Sequence, residues 1–350
     1  MNQKILKTDI LTLSSFQLKE KLTILGFEPY RSKQVEEWLW KHGVRSFQEM
    51  NNLSKEQRTT LDQIFRMPIL SEDKVQQSGD GTMKFRFLLD DGNKIESVLI
   101  PVDEDKRYTV CVSSQSGCSL SCTFCATGRM GLLRQLSASE IFDQYVHVNK
   151  VCEQKYKKPL SNIVYMGMGE PLLNYKNVVE SIHRLSSPLG PNISPKRITV
   201  STAGIAKMII KLADDDIKVN LALSLHAADD QKRNEIMPIN QHNNLHALTQ
   251  ALRYFSQKTG SRISYEYIAF EHFNDFEKDA KNLIKLCSHF PVKVNLIEYN
   301  PIRGIDYEKS SEDRINAFAK EIRSHGIMIT LRRSRGKDID AACGQLANEG

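Results

Sequence analysis

The sequence predicts an α/β protein: a partial barrel of about six parallel strands, preceded by a helical accessory module and a linking β-hairpin. Three observations carry this prediction. From about residue 107 onward, short apolar runs alternate with helical stretches, the signature of repeated βα units. Residues 83–100 change to strand-like runs around an Asp-Gly turn. Residues before them carry helix caps and apolar residues at helical spacing. The chain therefore divides into a helical module over 1–75, a hairpin and linker over 76–106, a barrel over 107–332 and a C-terminal tail over 333–350.

In the first module, Ser14-Ser-Phe-Gln starts a helix with good caps, and Gly26 breaks it. Tyr30 to Trp40 keeps apolar residues at helical spacing, with Trp38 near its end. Ser46-Phe-Gln-Glu49 and Ser54-Lys-Glu-Gln57 fit capping boxes. Arg31, Lys33, Lys41 and Arg45 accompany the aromatics, so the module reads equally well as a packing cap or as an RNA-holding domain. In the hairpin, strands from Met83 and from Lys94 flank the turn at Asp90-Asp91-Gly92, and Pro101 ends the second strand. Glu96 lies in that second strand among apolar residues, where simple alternation makes it solvent-facing.

The barrel strands follow in order. Tyr108 to Ser114 comes first and Asn162 to Gly167 second, with a helix capped at Ser137-Ala-Ser-Glu140 between them. Arg197 to Thr202, Val219 to Leu225, Ile263 to Ile268 and Val292 to Ile297 are the third to sixth, and Ile327 to Leu331 closes the series. Chemistry in such barrels sits in loops at the carboxyl ends of strands. Gly167-Met-Gly169-Glu170-Pro171 follows the second strand, where glycines let backbone approach a ligand and Glu170 can hold an ammonium. Ser201 ends the third strand, Ser224-Leu225-His226 the fourth and Asn300 the sixth. Each alone reads as a helix cap or a satisfied polar group.

Of the 350 residues, 40% are hydrophobic, enough for a sizeable core, and 26% are charged, ordinary for a soluble chain. The net charge of +6 leans towards a polyanionic partner. No apolar leader and no apolar run of transmembrane length is present, which places the chain in the cytoplasm, away from membranes. Seven cysteines, an odd count, do not suit a secreted disulfide framework. Cys152 and Cys287 fall on helix-like segments and read as packed thiols.

The loop after the first barrel strand is the strongest signal. Cys118, Cys122 and Cys125 stand at C-x3-C-x2-C spacing, which can point three thiolates at one small cluster. A [4Fe-4S] cluster held by three thiolates keeps one iron open for a substrate. A closed zinc site wants four ligands, and no second cysteine pair lies nearby. The spacing favours the open cluster and leaves zinc, or thiols near one another by chance, as alternatives.

This loop resembles the signature of radical S-adenosylmethionine (SAM) enzymes. The wider stretch from Cys111 to Cys118 resembles one branch, the RlmN/Cfr family of RNA adenine methyltransferases. The resemblance spans nearly the whole chain, including Tyr30-Arg31 and Gln34 with Trp38 in the first module, and it implies that the module over 1–75 is an RNA-binding domain. It implies a [4Fe-4S] cluster on Cys118, Cys122 and Cys125, and two SAM molecules per turnover. It implies SAM contacts at Gly169, Glu170, Ser201, Ser224, Leu225, His226 and Asn300. It makes Cys343 the methyl-carrying cysteine, Cys111 its resolving partner through a transient disulfide, and Glu96 the proton acceptor. The tail's basic run, Arg332, Arg333, Arg335 and Lys337, is either a phosphate contact or a solvated face.

The implied chemistry needs all these parts. Carbons 2 and 8 of adenine are not nucleophilic, so a methyl cation equivalent cannot be placed there directly. A thiolate can take the methyl, a radical can activate it, and a second thiol can release the product. The family's targets are adenosine 2503 of 23S rRNA and, in the housekeeping branch, adenosine 37 of tRNA. Pro171 resembles the carbon-2 branch, since the carbon-8 resistance branch tends to carry Ala there. An external electron donor, such as a flavodoxin or ferredoxin, and a monomeric state are expected. The competing classes are another radical SAM enzyme, such as a sulfur-inserting one, and a metal-stabilised RNA-binding protein without catalysis.

Overall fold

The computed structural model describes residues 7–68, 70–102 and 104–348; residues 1–6 of the first module and 349–350 of the tail lie outside them. In the module, α1 (Ser15–Ile24) begins with a closed capping box between Ser14 and Gln17. α2 (Arg31–Glu36) runs into a wider turn at Glu37–Lys41 that carries both tryptophans. α3 (Lys55–Ile64) has its own box between Ser54 and Gln57. Trp40 is buried edge-on to Phe142 at 5.1 Å, with the Arg184 guanidinium 3.8 Å over its ring. Arg45 pairs with the buried Asp143. Of the residues available to an RNA, Trp40 and Arg45 therefore dock the module onto the barrel instead, while Lys33 and Lys41 stay exposed.

One ten-stranded sheet organises the rest. β1 (Ser71–Gln77), β2 (Met83–Leu88) and β3 (Lys94–Val102) form an antiparallel meander. β1 is absent from the sequence expectations and runs across the boundary drawn at residue 75. Its residues are polar and mostly exposed, so no apolar alternation marks it. β3 pairs antiparallel with β4 (Arg107–Cys111), which opens the parallel series.

A short antiparallel pair, Gln115–Gly117 with Leu132–Gln135, brackets the three-cysteine loop and α4 (Ala126–Arg129). α5 (Ala138–Tyr156) then leads to β5 (Asn162–Tyr165), and α6 (Tyr175–Ser186) to β6 (Ile198–Thr202). α7 (Ala206–Asp214) leads to β7 (Asn220–Ser224). α8 (Asp230–Ile236) and α9 (Leu245–Thr259) precede β8 (Ile263–Ala269). α10 (Glu277–Cys287), β9 (Lys293–Glu298), α11 (Glu312–Ser324) and the edge strand β10 (Ile329–Arg332) complete it. From β4 to β10 each strand pairs in parallel with its successor, so the expected six-strand series, β4 to β9, is present with β10 closing it. Tyr165, Tyr265, Phe142 and Phe255 are fully enclosed between strands and helices. Among the described residues no helix is long and apolar enough to cross a membrane.

Gly117 decides whether the bracket around the cysteine loop can close. Its φ is +75°, and a Cβ there would meet the Gly131 carbonyl oxygen at 1.8 Å. Gly117→Ala is expected to destabilise the chain by about 2–3 kcal/mol in chemical denaturation. Gly79→Ala is the control, because open space surrounds that position. Equal midpoints for the two variants would contradict this account.

Candidate active site

The three-cysteine loop is pinned from both sides. Cys118 N donates to Gly131 O at 2.9 Å, and Thr123 N donates to Ile236 O, at the end of α8, at 3.0 Å. Burial pushes the Cys118 thiol up to about 11, and the nearby Cys125 adds to this. Burial also raises Cys122 and Cys125, and Cys122 further feels the charges of Cys125 and Cys118. The three sulfurs thus share one region and resist joint ionisation, a state that a cationic iron core would reverse. Among the described residues no three such groups converge where one metal ion could sit. A cubane suits this arrangement better, since it takes each thiolate at a separate iron.

At the strand ends, Glu170 is buried and accepts from Leu172 N at 3.0 Å and Ala203 N at 2.7 Å. Burial raises its pKa from the ordinary carboxylate value, and its charge acts on Cys118 and Cys122. Among the described residues its carboxylate has no ion-pair partner, which fits an incoming ammonium. At Gly169, φ +95°, a Cβ would strike Gln115, whose Oε1 accepts from Glu170 N at 2.7 Å, so this position must be glycine for Gln115 to pack there. Ser201 and Ser224 bring their hydroxyls within 3.4 Å across adjacent strands. Asn300 is buried with its Oδ1 unpaired, a polar acceptor left without a partner. Its Nδ2 donates to Cys343 O at 3.4 Å. The buried carboxyl group, the unpaired amide oxygen and the three neighbouring thiols together fit SAM on an open cluster.

His226 has φ +54°, and its Nδ1 accepts from Ile268 N at 3.1 Å. Burial, helped by Arg233, pushes its pKa down to about 3, which agrees with an unprotonated acceptor nitrogen. Its ring packs edge-on at 4.8 Å against Phe124 of the cysteine loop. Both its backbone and its ring therefore shape the site from behind. Leu225 is buried with its amide on Glu266 O at 2.9 Å.

The tail crosses the barrel mouth. Ala126 N, next to Cys125, donates to Gly344 O at 2.7 Å, and Thr127 Oγ1 donates to Leu346 O at 2.6 Å. Glu96 Oε2 accepts from Ala347 N at 3.0 Å and Asn348 N at 3.2 Å. Its Oε1 lies 3.4 Å from Lys84 Nζ, which also donates to Asp340 O at 3.3 Å. Glu96 is 1% exposed, so the solvent-facing reading of its strand is overturned: β3 is covered here by the tail. Three of the four cations of the basic run are engaged within the protein, while Arg332 is exposed. Arg333 and Lys337 bind Glu298 at 3.0 and 2.6 Å, and Arg335 binds Pro101 O at 2.9 Å.

Cys343 faces the barrel cavity, open to a ligand yet walled by protein. This enclosure, with the charges of Glu266 and Cys125, pushes its thiol up to about 11. Cys111, the last residue of β4, is buried and lies within the electrostatic reach of Cys343; both are free thiols. Sequence reasoning missed Glu266, Asn295 and Arg233. Glu266 accepts from Asn295 Nδ2 at 2.7 Å and Ser264 Oγ at 2.8 Å, forming a polar layer inside the barrel. An acid centred in an apolar strand was the available signal. Beside the tail, a cavity of about 410 Å³ is lined by Lys84, Arg129, Met130, Ile302, Arg303 and Gln345, with the acid Asp340 at its rim.

Comparisons with known proteins agree with this geometry. Residues 8–67 match the family model described as the ribosomal RNA large subunit methyltransferase N-terminal domain, and residues 112–286 match the radical SAM superfamily. A protein of Cytophaga hutchinsonii named "Probable dual-specificity RNA methyltransferase RlmN" is 52% identical over 344 residues, covering 98% of this chain and 94% of its own. A Campylobacter curvus protein named "Dual-specificity RNA methyltransferase RlmN" is 43% identical, with 95% of this chain and 92% of its own covered. The crystal structure of a radical SAM methyltransferase from Sphaerobacter thermophilus superposes with a TM-score of 0.93 at 37% identity, covering 98% of this chain and 100% of that one.

His226 makes stability pH-dependent. The unfolded imidazole takes a proton below its ordinary 6.5, while the folded one stays neutral down to about 3. Stability is therefore lost as pH falls through this window, at ~1.4 kcal/mol per pH unit. Between pH 7 and pH 5 the parent chain is expected to lose about 2 kcal/mol more than His226→Gln, measured by urea denaturation. Parallel losses in the two proteins would show that His226 does not carry this term.

Proposed function

The chain belongs to the RlmN family of radical SAM enzymes, and on that premise we propose that it methylates carbon 2 of adenosine 2503 in 23S rRNA and of adenosine 37 in tRNA. The observation that carries this reading is the docking of the tail: Gly344 O on Ala126 N brings Cys343 beside the three-cysteine loop and within the field of Cys111.

Bound SAM and the [4Fe-4S] cluster would supply an electrophilic methyl from one SAM and a hydrogen-abstracting oxidant from a second. Cys118, Cys122 and Cys125 hold the cluster. Glu170 takes the ammonium of SAM, and Asn300 meets it from the opposite strand end. Ser201 and Ser224 form the shelf between them, with Gly169, Leu225 and His226 shaping its backbone. Cys343, open to the cavity, takes the methyl on Sγ and carries that carbon to the base as a covalent protein–RNA adduct. Cys111 escapes methylation because it is buried, whereas Cys343 is exposed. After bond formation it attacks Sγ of Cys343, leaving a disulfide and freeing the methylated base.

Glu96 takes the ring proton in this scheme. Its oxygens are occupied by the tail and Lys84, so residues 347–348 must release it first. The cavity lined by Lys84, Arg129 and Arg303 suits the anionic RNA backbone. Lys33 and Lys41 of the first module give RNA a second contact. A second cavity of about 650 Å³ lies on the outer side of the cysteine loop, against Ser121 to Thr123 and Gly304 to Tyr307. It offers an external flavodoxin or ferredoxin a route to the cluster. The protein works as a monomer in the cytoplasm. Pro171, which starts the turn capped by Glu170, supports carbon 2 over carbon 8.

Two measurements test this. After incubation with SAM, reductant and an RNA hairpin, Cys111→Ala is expected to give a slow-migrating RNA-linked band on a denaturing gel, and Cys343→Ala none. The reverse pattern, or no band from either, would sink the two-cysteine scheme. Mass spectrometry of RNA from the parent enzyme should locate the new methyl on carbon 2; a carbon-8 product would overturn the regiochemistry alone.

A further inference from the structure

Arg233, on the short helix α8, is 0% exposed. Its guanidinium is spent on neutral acceptors. Nε donates to Leu225 O at 3.1 Å, and Nη1 to Asn240 Oδ1 at 2.6 Å. Nη2 donates to Ala203 O at 2.5 Å and Ser224 O at 3.1 Å. The nearest carboxylate in this chain of contacts, Asp230, is one residue removed: its Oδ1 accepts from Asn240 Nδ2 at 2.8 Å. A full positive charge is thus buried with only partial compensation, which is expensive unless another anion is at hand.

That anion is implied by the surroundings. Ile236 and Met237, which end the Arg233 helix, and Ala203, whose carbonyl Arg233 holds, form one apolar cluster against which Cys122 and Cys125 pack. The charges of Arg233 and Cys122 act on each other with opposite sign. With thiols in the loop, Arg233 has little to balance it. With three thiolates on an iron–sulfur core, it faces an anionic group across a dry, low-dielectric gap.

The same side chain also sets the cofactor shelf. It ties the carboxyl ends of β6 and β7, through Ala203 O and Ser224 O, to one rigid fork. The Ala203 peptide is gripped on both sides, since its amide donates to Glu170 Oε2 at 2.7 Å. Ser224, held by its carbonyl, presents its hydroxyl to Ser201 at 3.4 Å.

We propose that Arg233 is a positioning residue with two roles: its fork fixes the shelf that receives SAM, and its charge offsets the cluster's thiolates and makes the cluster easier to reduce. The proposal rests on the [4Fe-4S] reading of Cys118, Cys122 and Cys125. Removing a fixed positive charge beside an anionic redox centre stabilises the oxidised form and lowers the potential. Shortening the side chain while keeping the charge leaves the potential but loosens the shelf.

The test is an anaerobic redox titration, followed by visible absorbance and electron paramagnetic resonance, on protein whose iron and sulfide content is measured first. SAM affinity is read separately by equilibrium dialysis, with no RNA present. Arg233→Gln is expected to have a lower cluster potential than the parent, and SAM binding weaker by about tenfold. Arg233→Lys, kept charged by the adjacent anion, is expected to match the parent potential while SAM binding still weakens. If Arg233→Gln does not fold, Arg233→Lys decides alone: a parent-like potential supports the proposal, and a lowered one overturns it. A loaded Arg233→Gln protein with the parent's potential overturns the proposal and leaves the cluster reading intact. A parent protein that binds no iron and sulfide overturns both.

Discussion

Glu96 accepts hydrogen bonds from the amides of Ala347 and Asn348, and these bonds fasten the tail across the barrel mouth. Everything at the site follows from that attachment. A buried carboxylate needs donors on every side, and Glu96 finds them in the tail backbone and in Lys84. The carbonyls of Gly344 and Leu346 then meet Ala126 and Thr127 on the cysteine loop. Cys343 lies between these anchors and the Asp340 carbonyl, to which Lys84 Nζ donates at 3.3 Å, so its position is set from both flanks. The antiparallel meander, which looks peripheral to a barrel, is what the tail is tied to.

Charge balance inside the barrel mouth has a consistent logic. Glu170 is a buried carboxyl group without a cation, Arg233 is a buried cation without an adjacent anion, and burial makes three thiols harder to ionise than usual. Each of these is costly in the bare protein. Each is relieved by the same visitors: an ammonium for Glu170, a thiolate-bound iron core for Arg233, and cationic iron for the thiols. Stability held back in this way is released on cofactor binding.

Division of labour between the two cysteines rests on burial rather than on local chemistry. Burial outweighs the one cationic influence on Cys343, the charge of Arg332, and it raises both thiols, so neither is a ready nucleophile by itself. Cys343 is reachable from the cavity, and Cys111 is closed off at the end of β4. A methyl donor therefore reaches one and not the other. In the scheme proposed above, a movement of the tail lets them exchange roles and also frees Glu96.

The parallel series from β4 to β9, the three-cysteine loop and the strand-end polar residues were legible in the sequence, because they depend on local signals: apolar runs, ligand spacing and turn chemistry. Glu170, Ser201, Ser224 and Asn300 could be assigned to one cavity because parallel strands bring all carboxyl ends together. What the tertiary structure decided depends on contacts between distant segments. β1 has no apolar pattern and exists by pairing with β2. Arg333, Arg335 and Lys337 look like a phosphate-binding run, but Glu298 and Pro101 claim them. Trp40 and Arg45 look like an RNA contact, but Phe142 and Asp143 lie opposite. Glu96 looks solvent-facing until residues 347 and 348, some 250 positions away, cover it. Arg233 sits in a run of charged residues that reads as a solvated helix face, and only the closing of β6 against β7 shows that it is buried. Local pattern records what a residue prefers; which partner it meets is decided by chain segments that no sequence window contains.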